Sequence, residues 1–148
     1  MDRRSLLSGA FQVACAMPPI SAVAVRAEAA QEFSKVVYHL SDLDKVDFVL
    51  GNIHNHYAGM GGPDNVTITL VVHGPALKAF HAETVTPDVA QPIADLRKLG
   101  LQLNACINTM RAQNVTLKDL LPGFNVADKG GVVMLAQLQS MGYAYLRP

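Results

Sequence analysis

The sequence predicts an α/β fold in which helices cover both faces of a mainly parallel sheet. Short apolar or β-branched runs alternate along the chain with helix-length segments whose apolar residues recur every three or four positions. This alternation is typical of parallel strands joined by crossover helices. The sequence contains no internal repeat, low-complexity segment or domain linker, which indicates one domain.

The first strand and the first helix begin this pattern. We predict a strand at Phe33–Leu40, followed by a helix whose N-terminus is marked by Ser41 and, three residues later, Asp44, as in a capping box. Glycines and Pro63 end this helix near Gly59. Its apolar stripe comprises Val46, Val49, Leu50, Ile53 and Tyr57.

The second strand and the second main helix follow. Val66–Val72 is the strongest strand of the sequence, and Ala76–Phe80 is predicted to form a helical turn. The helix runs from Pro87 or Asp88 to Leu99, where Gly100 closes it, and Pro92 lies in or near its first turn. Its inward residues are Val89, Ile93 and Leu96.

The remaining elements continue the alternation to the end of the chain. The final helix carries Val132, Leu135 and Leu138 on one face, and Gly130-Gly131 let it start close to the sheet. In order, these elements are a strand at Leu101–Ala105, a short helix from Cys106 to about Gln113, a helical turn at Thr116–Leu121, a short strand at Phe124–Ala127, a helix from Lys129 or Gly130 to Met141, and a strand at Tyr143–Leu146.

Residues 1–29 have the order of a bacterial export signal. Arg3-Arg4 precede an apolar run at Ala10–Ala16, and small residues at 22–24 and 27–29 fit an A-x-A cleavage site. The arginine pair resembles a twin-arginine signal, with an ordinary secretory signal or a disordered tail as the alternatives.

We therefore expect a periplasmic or otherwise exported domain at 30–148, and a cytoplasmic one if the N-terminal segment is not a functional signal. Pro18-Pro19 keep the apolar run well below the roughly 20 residues that a membrane span requires. We expect no stable membrane insertion after the signal is removed.

Charge excludes two classes of partner. Residues 30–148 contain nine Lys and Arg against ten Asp and Glu, which gives a net charge near −1. Nucleic-acid binding normally requires a basic surface, and an anionic membrane surface requires the same. Half of the chain is hydrophobic, which is enough for a substantial core.

Cys106 is the principal candidate for chemistry. It stands where the third strand ends and a helix begins, so backbone N–H groups of the helix start should favour its thiolate form. Cys15 lies in the predicted signal, so the exported domain would hold a single thiol and no internal disulfide. The alternative is a buried cysteine that acts as a small hydrophobe.

Three strand ends should converge near this thiol. His39 lies on the first strand, His73-Gly74 follows the second, and Asn108 and Thr109 come directly after Cys106. Because parallel strands place their carboxyl ends at one edge, the imidazoles could stabilise the thiolate or move its proton. Alternatively, His39 is a core histidine, His73 shapes a turn, and Asn108 and Thr109 only cap a helix.

A metal site has weaker support, and we predict none. His39, His73 and Cys106 are acceptable zinc or copper ligands, but no H-x-x-x-H or C-x-x-C spacing accompanies them. His54 and His56, two positions apart on a helix, point in different directions and cannot chelate one ion together. We also expect no nucleotide or organic cofactor.

The sequence resembles the DsrE/DsrF-like sulfur-relay family, in its branch of small single-domain proteins, over about residues 35–148. The family implies a three-layer α/β/α sandwich with about five mainly parallel strands (a DsrEFH-like fold) and a trimer, hexamer or related oligomer. The residues that carry the resemblance are Val36–Asp42, Asn52–His56, Gly62–Val66, Val71–Pro75, Cys106–Met110, Asp119–Gly123 and Gln139–Tyr145.

The resemblance also implies a chemistry. In the sulfur-oxidation and tRNA-thiolation members, a cysteine in a loop at the sheet edge receives sulfur as a persulfide and passes it on, and Cys106 matches that position. The leading hypothesis is a sulfur-handling protein that acts as a sulfurtransferase-like carrier, whose partner is a small sulfur species or a sulfur-carrying protein. The alternative is a non-catalytic oligomeric module that binds a small ligand or metal, with Cys106 lining the pocket.

Overall fold

The computed structural model describes residues 34–148. The predicted export signal at 1–29, Cys15 and Phe33 lie outside the described residues. No helix within 34–148 combines the length and the apolar character that crossing a membrane requires.

The described residues form a five-stranded sheet in which every neighbouring pair is parallel, as the sequence predicts. The strand order across the sheet is β4-β3-β2-β1-β5. The strands are β1 (Ser34–Leu40), β2 (Val66–Val72), β3 (Gln102–Cys106), β4 (Phe124–Ala127) and β5 (Ala144–Leu146).

Four α-helices connect these strands, so the fold is a three-layer α/β/α sandwich. They are α1 (Val46–Gly59), α2 (Pro87–Lys98), α3 (Ile107–Ala112) and α4 (Gly131–Ser140). Short 3₁₀ turns occur at Leu43–Lys45, Pro63–Asn65, Gly74–Phe80 and Leu117–Asp119.

The strand order explains why the two faces of the sheet are covered unequally. From β1 to β4 the chain crosses the sheet in one direction, and right-handed crossovers then place α1, α2 and α3 on one face. The connection from β4 to β5 returns in the opposite direction, so α4 covers the other face. The large core accordingly contains α1 and α2, whereas a smaller cluster joins Val37, Val71 and Leu135 beneath α4.

The predicted stripes of α1 and α2 are confirmed, but the predicted face of α4 is partly wrong. Leu135 is buried and Leu138 packs against the smaller cluster, whereas Val132 is 67 % exposed. Gly131, buried at the helix start, occupies the inward position instead. Because Gly131 has no side chain, α4 lies close to the sheet and Val132 is turned to the outside.

Two local predictions also need correction. Ser41 forms no capping box, because Asp42 precedes a 3₁₀ turn and the Ser41 hydroxyl accepts a hydrogen bond from Arg147 at 3.0 Å. A capping box does form between Thr116 and Asp119, at the start of the Leu117–Asp119 turn. Pro92 lies in the interior of α2, beyond its first turn.

Candidate functional site

The ends of β1, β2 and β3 meet at one edge of the sheet, as the sequence predicts. Val72 pairs with Ala105, so His73 and Cys106 occupy the next position on neighbouring parallel strands, about 5 Å apart in backbone. His39 lies on β1 beside β2. Alternation along the strands places all three side chains on the face covered by α4.

Cys106 lies at the point where the direction of the chain connections changes. The connection after β3 runs through α3 on one face, whereas the connection after β4 runs through α4 on the other. In open parallel sheets, such a change opens a crevice beyond the strand ends, where ligands bind. The starts of α3 and α4 both border Cys106, because it directly precedes Ile107 and lies against Gly131.

The Gly130-Gly131 pair permits this close approach. A Cβ atom on Gly131 would lie 3.2 Å from the Cβ of Cys106 and 3.4 Å from the Cβ of His73. Gly130 has a φ of 100°, which favours glycine, and a Cβ there would lie 3.1 Å from Nδ2 of Asn108. The prediction that these glycines bring the last helix close to the sheet is confirmed.

The thiol of Cys106 is surrounded by hydrogen-bond donors. Burial raises the pKa of this thiol, but the hydrogen bonds outweigh burial, so the pKa lies below the ordinary value for cysteine. The donors are the backbone N–H of Gly131, the backbone N–H and hydroxyl of Thr109, and the backbone N–H of Asn108. Cys106 is nevertheless only 6 % exposed. The site therefore stabilises a thiolate in a largely enclosed position.

Thr109 links the thiol to the turn after β2. Its hydroxyl accepts a hydrogen bond from the Gly74 N–H at 2.9 Å, which leaves the hydroxyl proton free for Cys106. The Gln113 side chain donates to the Gly74 carbonyl at 3.0 Å and bonds to His81 through its Oε1 atom at 2.8 Å. These hydrogen bonds fix the turn at Gly74, whose φ is 60°.

The two histidines form a hydrogen-bonded pair. Their ring planes lie within 20° of parallel with centroids 4.6 Å apart, and Nε2 of His39 contacts Nε2 of His73 edge to edge. Nδ1 of His39 is bonded to the Tyr145 hydroxyl at 2.6 Å. The structure thus brings both predicted histidines together and adds a tyrosine from β5.

Both imidazoles are neutral at neutral pH. Burial, the neighbouring His73 and the Arg147 guanidinium lower the pKa of His39 to about 4, against a smaller opposing effect of Asp42. Burial and then Arg147 lower the pKa of His73, again against Asp42. Arg147 itself donates to Asp42 at 3.2 Å. A neutral pair of this kind can pass a proton along its hydrogen bonds.

The other histidines lie elsewhere. His54 is exposed on α1, and His56 is hydrogen-bonded to the Tyr38 hydroxyl at 2.9 Å. Residues 34–148 contain no group of three His, Cys, Asp or Glu side chains that could hold a metal ion.

Sequence reasoning missed Tyr145, Arg147 and Gln113 as members of the site. Tyr145 reaches His39 only because β5 pairs with β1, and Val37 is opposite Tyr145 in that register. No local pattern near the C-terminus indicates this pairing. The side chain of Gln113 lies just beyond α3, and only the fold brings it to Gly74.

A small cavity of about 140 Å³ borders the same region from the β4–α4 connection. It is lined by backbone and side chains that include Ala127, Asp128, Lys129 and Gly130. Ala127 is paired with Cys106 across the sheet, so this cavity lies beside the crevice.

Comparison with known proteins supports the fold. No family model matches the chain, and no curated protein matches it. A protein of unknown function from Methanobacterium thermoautotrophicum, MTH1491, superimposes with a TM-score of 0.69 and 27 % identity over 78 % of this chain and 99 % of its own. The ychN protein from E. coli gives a TM-score of 0.59 and 14 % identity over 78 % of this chain and 98 % of its own. YchN has a DsrE-like fold, so these similarities support a DsrE-like fold for this chain.

Proposed function

We propose that the chain is a sulfur-handling protein of the DsrE/DsrF-like type, in which Cys106 accepts and passes on sulfane sulfur. The observation that carries the proposal is the set of donors from Gly131, Thr109 and Asn108 around the thiol, which lowers its pKa. A thiolate is the nucleophilic form of cysteine. The position of Cys106 at the end of a parallel strand, between two helix starts, supports the same role.

The proposed step is a transfer between two sulfur atoms. The Cys106 thiolate attacks the terminal sulfur of a persulfide R–S–SH, and a new S–S bond forms as the donor S–S bond breaks. The electron pair of the broken bond leaves with the donor as R–S⁻, and Cys106 becomes Cys–S–SH. No external oxidant or reductant is consumed, and a second thiolate reverses the step when it receives the sulfur.

The test compares the two cysteines of the full chain. Each variant is incubated with inorganic polysulfide and weighed intact. We expect a sulfur atom to be added to Cys106 in the wild type and in Cys15→Ser. We expect no sulfur at residue 106 of Cys106→Ser. Absence of the adduct on Cys15→Ser would refute the proposal, because Cys106 is the thiol that this variant keeps.

A second candidate function is a binding module in which Cys106 lines a ligand pocket without reacting. The low exposure of Cys106, 6 %, favours it. It predicts that iodoacetamide alkylates Cys106 slowly, with the pH midpoint of free cysteine near about 8.5. A midpoint clearly below that value, measured on Cys15→Ser, would instead favour the sulfur carrier.

We also propose that the domain is exported and assembles into a homo-oligomer. The order of charged, apolar and small residues in 1–29 supports export, and N-terminal sequencing of periplasmic protein would test it. Exposed apolar residues of α4 and β5 support assembly.

A further inference from the structure

We propose that Tyr145, His39 and His73 form a proton relay that protonates the thiolate leaving from the sulfur donor when Cys106 attacks. The inference rests on the proposed role of Cys106 and assigns the groups that complete the step. The sulfur transfer described above releases R–S⁻ into an enclosed site, where an alkyl thiolate, with its high pKa, leaves more slowly than an aromatic one and a proton donor would speed its departure.

The hydrogen bonds give the relay a continuous path. When Tyr145 donates its hydroxyl proton to Nδ1 of His39, Nε2–H of His39 donates to Nε2 of His73. His73 is then protonated on Nδ1, and that proton is available to the site. Each imidazole accepts a proton at one nitrogen as it gives up another, so neither ring holds a charge.

The geometry places His73 beside the end of β3, where Cys106 lies, and places the other end of the relay at solvent. His73 and Cys106 both lie against Gly131. Their Cβ atoms are both close to the position that a Cβ atom on Gly131 would occupy. Tyr145, at the other end, is 39 % exposed on the edge strand β5. Solvent therefore replaces the proton that the leaving group removes.

Burial keeps the relay neutral, and the surrounding charges add a smaller effect. Asp42, from the β1–α1 connection, and Arg147, after β5, are the charged groups that act on the two rings, and they are bonded to each other at 3.2 Å. The first turn of α4, residues 131–134, contributes no titratable side chain. Imidazolium would therefore lack a free carboxylate partner here.

The test uses two donors that differ in their leaving groups, with the full-length Cys15→Ser protein as the reference. One donor is an alkyl persulfide, glutathione persulfide, whose thiolate needs a proton. The other is an aromatic disulfide, 5,5′-dithiobis(2-nitrobenzoate), whose thiolate leaves without one. We measure the rate constant for modification of Cys106 against pH with each donor.

His73→Gln should lower the rate with the alkyl persulfide by about 100-fold, the low end of the range of general acid catalysis. The rate with the aromatic disulfide should stay within about twofold once the thiolate fraction is taken into account. His39→Gln should behave alike, Tyr145→Phe should cause a smaller loss, and added imidazole should restore part of the His73→Gln rate. His54→Gln, a substitution of an exposed histidine on the other face of the sheet, should change neither rate.

Equal losses with both donors in His73→Gln would overturn the relay, since they would indicate an effect on the nucleophile or on folding. Unchanged rates with both donors would overturn it as well. The proposed function fails separately: if Cys15→Ser forms no persulfide, glutathione disulfide replaces the alkyl donor, and the same contrast between donors decides the relay.

Discussion

At the scale of single residues, Gly131 does more to define the site than any residue with a side chain. Its missing Cβ allows α4 to contact Cys106 and His73 together, and its N–H is the strongest donor to the thiol. The two nearest atoms that a new methyl group would meet are Cβ atoms of Cys106 and His73, which are fixed directly to the backbone at the strand ends and not to the flexible end of a side chain. The site therefore depends on this glycine for packing and for electrostatics at once.

We expect Gly131→Ala to destabilise the protein by about 1–3 kcal/mol, the usual cost of overpacking a close contact. It should also raise the pKa of Cys106, because α4 must retreat and take its N–H along. Urea unfolding measures the first effect and the pH dependence of alkylation the second.

Gly51→Ala is the matched control for that substitution. Gly51 lies inside α1 with nothing within 4 Å of a new Cβ, so alanine should stabilise the helix by roughly 0.5–1 kcal/mol. If both variants unfold at the same urea concentration, close packing at Gly131 is not the constraint we infer.

His39 makes the stability of the protein depend on pH. Its pKa is lowered from 6.5 to about 4 in the folded state, chiefly by burial, so the unfolded chain binds more protons between these values. The stabilising contribution is complete above pH 6.5 and is lost as the pH falls toward 4.

We therefore expect the urea midpoint of the wild type to fall between pH 6.5 and pH 4, and the midpoint of His39→Gln to fall less over the same interval. Carboxylates contribute to both proteins alike, so the difference between the curves isolates the histidine. Parallel curves would show that His39 is protonated as easily in the folded protein as in the unfolded chain.

At the scale of elements, α2 contains a local conflict. Pro92 lies in the helix interior, so the Asp88 carbonyl four residues earlier receives no N–H from it. Ile93 and Leu96 bury the same helix against the large core, which compensates for the lost hydrogen bond. Tertiary packing therefore holds α2 in a conformation that its sequence opposes.

Pro92→Ala should raise the free energy of unfolding by about 1 kcal/mol, part of the roughly 3 kcal/mol that separates the two residues in a helix interior. Thermal unfolding followed by circular dichroism measures it. Pro87→Ala is the control, because Pro87 begins the helix, where proline is favoured, and should give no gain. An equal gain from both would indicate an effect of proline on the unfolded chain only.

The elements also show how much of the secondary structure can be predicted from the sequence. β2 and β4 have the predicted bounds, because apolar and β-branched composition alone specifies a buried strand. The predicted face of α4 is wrong only at Val132, because an apolar pattern does not mark Gly131 as an inward residue.

Long-range contacts account for the rest. His39, His73 and Cys106 were predicted to converge because parallel topology alone brings strand ends together, and the structure brings them to one edge. Tyr145 lies 106 residues from His39 along the chain, and only the position of β5 beside β1 joins them. Such a contact depends on strand order, which a local pattern does not encode.

At the scale of the whole molecule, the layer that α4 forms over one face of the sheet has exposed apolar residues. On α4 and the residue after it, Val132 and Met141 are 67 % and 63 % exposed, and Val133 is also exposed. Next to them, β5 leaves one edge of the sheet unpaired in the described residues. A second copy of the chain would cover these groups, and the family resemblance implies the same assembly.

We expect the full-length protein to elute as an oligomer in light-scattering chromatography, and Val132→Glu with Met141→Glu to shift it toward the monomer. Each carboxylate would be buried without a partner in a contact between copies, which costs several kcal/mol. Phe48→Glu is the control: Phe48 is similarly exposed, at 57 %, but lies on α1 across the sheet, so its substitution should leave the mass unchanged. A monomeric wild type would show that the contact between copies does not form. Dissociation by Phe48→Glu alone would place that contact on another surface.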